Sequence, residues 1–190
     1  MKLFRLVPAF GVILLALPTA AHGQSGAIGL GPALPIGPNP DEPEVGWQVS
    51  GALEFGPSSS PVAFRLETLV SRIPFRYMPI LPATPQALGA VPCPTSGCVR
   101  QTAHQTLAAA TFDLVIRPSA PATRLVPYLI AGAGVYDHYN TAYGGSNAVG
   151  VGVNGGLGLR LPFLHAFVEA RAHFIRNAPD CLPITFGLRF

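Results

Sequence analysis

The sequence has 190 residues, of which 11% are charged and 49% apolar, with a formal net charge of +3. Soluble domains carry about a quarter charged residues, so a water-facing surface of ordinary composition is excluded. No run of Lys or Arg exists and Lys2 is the sole lysine, which leaves nucleic-acid binding without an electrostatic footprint.

The chain begins with an address. Lys2 and Arg5 form a positive region, residues 6–17 an apolar run broken by Pro8 and Gly11, and residues 19–23 a small-residue segment with Ala21 and Gly23. This order predicts a secretory signal peptide over 1–23, cut after Gly23. The run is shorter than the ~20 apolar residues a transmembrane helix needs. The mature chain, 24–190, suits one domain, and no later stretch is long enough for a membrane helix. A secreted chain with few charges and no helical span points to a β-barrel, the other structure that satisfies its backbone in lipid.

Strand signals run along the whole mature chain as period-two alternation. Residues 25–36 supply a weak first strand, followed by a loop at 37–44. From Val45, Trp47, Val49, Leu53 and Phe55 share one face, with Gln48, Ser50 and Glu54 on the other. Residues 56–61 form a turn. Then Val62, Phe64, Leu66 and Val70 oppose Arg65, Glu67 and Ser71. A long Pro-rich loop is expected over 74–100.

That loop holds two of the three cysteines, Cys93 and Cys98, with Cys181 far away in sequence. Export permits disulfides, and Cys93 and Cys98 read as a short loop closed by one. Cys181 is then odd, and three pairings are possible. No second ligand pair accompanies Cys93 and Cys98, so neither a metal nor a cofactor is expected.

The next strand spans 101–117, with Phe112, Leu114 and Ile116 opposite Asp113 and Arg117. A turn at 118–124 leads to a strand at 125–136, and the polar stretch 137–147 reads as loop. In 148–161, Val149, Val151, Val153, Leu157 and Leu159 alternate with glycines, Asn154 and Arg160. After a turn at Pro162, Val168, Ala170, Ala172 and Phe174 oppose Glu169, Arg171 and His173 over 166–176. A loop at 177–183 precedes the last strand, 184–190.

The expected fold is therefore all-β: a single antiparallel up-and-down transmembrane barrel of eight strands. Turns at 56–61, 118–124 and 162–165 share one rim and are short; the connections at 37–44, 74–100, 137–147 and 177–183 share the other. Short periplasmic turns with longer external loops are the outer-membrane pattern.

Two features carry a family resemblance. The chain ends on Phe190 with Leu188, Phe186 and Ile184 at alternate positions. This resembles the C-terminal signal read by the barrel-assembly machinery of Gram-negative outer membranes, although Thr185 stands where that signal usually has glycine. In addition, Pro127-Tyr128, the glycines at 132 and 134, the segment 156–160 and the segment 167–171 follow the order seen in small OmpA/OmpX-like outer-membrane β-barrels. The resemblance implies a fold and a location, the cell outer membrane, with its lipid and the assembly machinery as partners. It implies no single activity.

With apolar faces outward, the inward set is Glu54, Arg65, Glu67, Asp113, Arg160, Glu169, Arg171 and Arg189, four acids and four bases. An eight-stranded barrel is just wide enough to be filled by side chains, and buried charges must be paired. A balanced set predicts a salt-bridged, plugged lumen. A selectivity filter would carry an excess of one sign. The protein is then expected to be a structural or surface-interaction barrel acting through its external loops, chiefly 74–100 and 137–147; the loop partner is unknown.

Two other classes stand beside this one. A lipid-modifying hydrolase is suggested by His173-Phe-Ile-Arg-Asn177, which resembles the His-x-Ser-Asn stretch of lipid A deacylases, but position 175 is Ile and the nucleophile is missing. His138, Asp137 and Ser146 share a polar stretch without a nucleophile-elbow motif. No catalytic residue is assigned. A soluble periplasmic barrel holding a small apolar ligand would invert the two faces.

Overall fold

The computed structural model describes residues 24–36, 42–57, 60–77, 101–118, 125–142, 145–176 and 178–190. The signal-peptide segment 1–23 and the Cys93–Cys98 pair lie outside them. Eight long strands follow in chain order: β1 (Gln24–Ile36), β2 (Gly46–Phe55), β3 (Val62–Tyr77) and β4 (Gln101–Ile116). The second half contributes β5 (Val126–Asn140), β6 (Ser146–Leu161), β7 (Ala166–Ile175) and β8 (Asp180–Arg189).

Every strand pairs antiparallel with its chain neighbours, and β1 also pairs with β8, so the sheet closes on itself without an edge. Closure removes the unpaired N–H and C=O groups that an open sheet exposes. The two ends of the barrel are tied at Gly26 and Phe190. Gly26 N–H donates to Phe190 O at 2.8 Å, and Phe190 N–H returns to Gly26 O at 3.0 Å.

Period-two alternation sorts the side chains by solvent. Leu30, Trp47, Phe64, Phe112, Leu129, Val153, Leu157, Phe174 and Phe186 all stand exposed on the outer wall. The opposite faces of the same strands bury Gln48, Glu54, Arg65, Asp113, Glu169 and Arg171. The distribution is inside-out relative to a soluble barrel, so the soluble reading with an apolar interior does not fit. Toward the 78–100 rim the lumen turns apolar, where Leu69, Ile73, Leu107, Tyr136, Ile175 and Cys181 pack together.

Four strands on that rim run longer than their side-chain pattern indicated. β3 continues past Pro74 to Tyr77, and Glu42–Pro43 adds a short bridge to Arg76 and Phe75. β5 and β6 pair on through Asn140 and Ser146, leaving 141–145 as the connection in place of 137–147. β8 begins at Asp180, which leaves 176–179 in place of 177–183. Once two strands are in register, their backbone hydrogen bonds continue whatever the side-chain polarity, so hairpins outlast the apolar belt. Among connections on this rim, the length asymmetry therefore rests on 37–45 and 78–100.

Candidate functional site

The inward residues of six strands converge on one ionic cluster. Register alone places Glu54 of β2 opposite Arg65 of β3, and Arg65 opposite Asp113 of β4. Contacts across the lumen do the rest. Arg171 of β7 reaches Glu67 at 2.7 Å and Asp113 at 3.1 Å, and also pairs with Glu169 two residues before it on the same strand. Arg65 meets Glu169 at 2.8 Å, Glu54 at 3.5 Å and Glu67 at 3.6 Å. Arg160 of β6 binds Glu54 at 2.5 Å, and Arg189 of β8 binds the other Glu54 oxygen at 3.4 Å. All eight inward charges expected from the alternation thus sit in one connected set.

Four further side chains belong to it. Arg117, just past β4, pairs with Glu54 at 3.3 Å. Tyr128 Oη donates to Glu169 at 2.7 Å, and its ring lies between the guanidinium groups of Arg65 and Arg160, 5.6 and 4.9 Å from its centroid. Asp113, fully buried, accepts from Thr111 Oγ1 at 2.9 Å and Asn154 Nδ2 at 2.8 Å. Arg117 and Tyr128 share the parity of their strands' inward faces, so the alternation carried the signal for both. With Arg117 the cluster is not balanced: five arginines face four carboxylates.

Moving an ion from water into such an interior costs several kcal/mol even after relaxation, and only dense pairing offsets it. Here each carboxylate meets at least one guanidinium within 3.1 Å. Room for these long side chains comes from glycines on the same face. A Cβ on Gly132 would overlap Asp113, one on Gly158 would overlap Tyr128, and one on Gly152 would fall 2.9 Å from Tyr136 Cε2. The Gly-rich inner face of β6 is the space the opposing side chains occupy.

The remaining chemistry-bearing residues are dispersed. His173 lies in the lumen, its Nδ1 2.9 Å from Tyr136 Oη. His138 faces inward opposite Ala148 in the β5–β6 register, while Ser146 lies opposite Asn140. Asp137 Oδ1 and His138 Nε2 are buried without a hydrogen-bond partner, so among the described residues Asp137, His138 and Ser146 form no hydrogen-bonded triad. Among the described residues no group of three or more His, Cys, Asp and Glu is placed to hold a metal. Cys181 is a buried free thiol. Phe186, Leu188 and Phe190 point outward and exposed, and Ile184 is half-buried on the same face.

A closed eight-stranded antiparallel barrel, apolar outside and ion-paired within, is a barrel of the small outer-membrane type. No family model matches the sequence, and no curated protein sequence matches it. Among solved structures it is similar to the attachment invasion locus protein Ail of Yersinia pestis, solved with the heparin analogue sucrose octasulfate. That pair shares 13% identity over 90% of this chain and 100% of the other, with a TM-score of 0.48. It is also similar to the N-terminal β-barrel domain of Pseudomonas aeruginosa OprF, at 12% identity over 89% and 98% of the chains and a TM-score of 0.48. Neisserial surface protein A matches at 12% identity over 88% and 96%, with a TM-score of 0.48.

Proposed function

We propose that the protein is an integral outer-membrane barrel, exported by its 1–23 signal segment, whose plugged lumen makes a rigid scaffold for rim segments that engage a partner at the cell surface. The observation that carries this reading is the inside-out wall: a continuous apolar exterior around a paired ionic interior. Such a surface is stable in lipid and a liability in water. The longest connection, 78–100, holds Cys93 and Cys98 and is the leading candidate for the interacting segment; a disulfide between them would narrow its conformations. The outward Ile184, Phe186, Leu188 and Phe190 would be read by the barrel-assembly machinery.

Two observations weigh against an enzyme at the rim. His173 is held inside by Tyr136, and His138 Nε2 is buried without a hydrogen-bond partner among the described residues.

Fractionation of expressing cells tests the proposal. The expected result is a band in the outer-membrane fraction whose gel mobility shifts on boiling, with protease added to intact cells cutting within 78–100. Recovery as soluble periplasmic protein without a heat shift overturns it.

A further inference from the structure

Signal cleavage after Gly23 makes Gln24 the first residue of the mature chain, and β1 begins at that same residue. A glutamine at an amino terminus carries both a nucleophile and an electrophile. Its α-amine can close on its own side-chain carbonyl to form a five-membered lactam, with the two groups held together by the residue itself. The fold decides whether the nitrogen is free to attack and whether the side chain has room to turn back.

Both conditions are met at the short-turn end of the β1–β8 seam. Gly26 gives its N–H to Phe190 O and accepts from Phe190 N–H. In an antiparallel ladder, alternate residues of a strand direct their backbone groups to the same neighbour. The nitrogen of Gln24 therefore points to the β8 side, beyond the Gly26–Phe190 pair. On its other side Gln24 stands opposite Phe55 of β2, and the same alternation makes this a pair without ladder bonds. The Gln24 side chain is exposed, on the outer face it shares with Ile28 and Leu30.

We propose that Gln24 is a modification site, converted after export to a pyroglutamyl end at the seam that shuts the barrel. The neutral amine nitrogen attacks Cδ, and the N–Cδ bond forms as the Cδ–Nε2 bond breaks. The proton lost by the attacking nitrogen leaves with Nε2 as ammonia, so no other reactant is consumed. The product is a neutral ring. It removes the α-ammonium charge from the margin of an apolar wall that includes Phe64 and Phe190, and it leaves no free amine for an aminopeptidase.

The proposal rests on the export reading, with its cut after Gly23, so the test separates that cut from the ring. In one arm the full-length chain is expressed, the barrel is purified from the fraction where it is recovered, and its amino-terminal peptide is identified by mass. The expected peptide begins at residue 24, is lighter than the encoded one by one ammonia, and resists an aminopeptidase until a pyroglutamyl peptidase is added. A peptide beginning at 24 with its glutamine intact overturns the ring alone. One beginning elsewhere overturns the cleavage reading, and the ring with it. In the second arm a protease-removable tag replaces 1–23, the barrel is folded in micelles, and the clock starts when the tag is cut off. Ring closure is expected at a rate comparable to that of the same chain in urea, because the folded ladder leaves the nitrogen free. A folded chain that keeps its glutamine while the urea-unfolded chain closes overturns the proposal: the nitrogen is then held, by the ladder or by the Phe190 carboxylate. Gln24→Asn, one carbon too short for a five-membered ring, is expected to keep its full mass in both arms.

Discussion

Tyr128 and Gly158 face each other in the register of β5 and β6, and the phenol ring of Tyr128 fills the space that a side chain at 158 would need. The glycine lets the ring turn into the lumen, where its hydroxyl donates to Glu169 at 2.7 Å. Replacing Gly158 with Leu is expected to cost about 1–3 kcal/mol through overpacking. Tyr128→Phe, which leaves the shape intact and removes one bond to a carboxylate, is expected to cost about 1.5–3 kcal/mol. Urea unfolding in micelles reads both, and a Gly158→Leu midpoint equal to wild type would mean that the ring is not confined there.

Arg171 touches Glu67, Asp113 and Glu169. Arg171→Met leaves three buried carboxylates short of their shared cation, and the expected loss is about 3–5 kcal/mol. The Glu44–Arg76 pair, at 2.9 Å but with both side chains largely exposed, is the control: Arg76→Ala is expected to cost no more than about 1 kcal/mol. Comparable losses at the two sites would contradict a buried network.

Val153 stands exposed midway along the outer wall of β6. In a bilayer, Val153→Arg is expected to destabilise the barrel by about 2–4 kcal/mol, as for a cation near the midplane. Refolding yields into vesicles of matched thickness check this; a neutral substitution would place that wall outside lipid.

Cys181 is 1% exposed, inside the apolar layer formed with Leu107, Tyr136 and Ile175. In a Cys93→Ser, Cys98→Ser background, a thiol reagent is expected to label it only when the barrel unfolds, so labelling rate tracks unfolding rather than reagent concentration. Fast labelling of the folded protein would show the lumen to be open from the 78–100 rim.

The ionic cluster and that apolar layer both lie within the lumen, and the proposed function takes them to plug it. Purified protein in a planar bilayer is accordingly expected to give no resolved conductance steps, and steps in the wild type would contradict a plugged barrel.

Which side chains face inward was readable from the sequence, because a strand presents alternate residues to opposite faces and this chain puts apolar residues on one set and charges on the other. The alternation at 149–159 and at 166–174 settled the faces of β6 and β7; alternation along the chain gives seven strands, and the even strand number of single-chain bacterial barrels supplies the weak eighth at 25–36. Arg117 followed from the same parity but was left out of the inward set, which made the lumen look balanced when five arginines face four carboxylates. The ends of β3, β5, β6 and β8 were not readable, since backbone ladders carry hairpins beyond the point where side-chain pattern stops. Who pairs with whom was decided only by closure. Arg171 and Glu67 are 104 residues apart, as are Arg65 and Glu169. They meet because joining β1 to β8 rolls distant strands around a lumen one side chain wide, and alternation along a single strand holds no information about what lies across it.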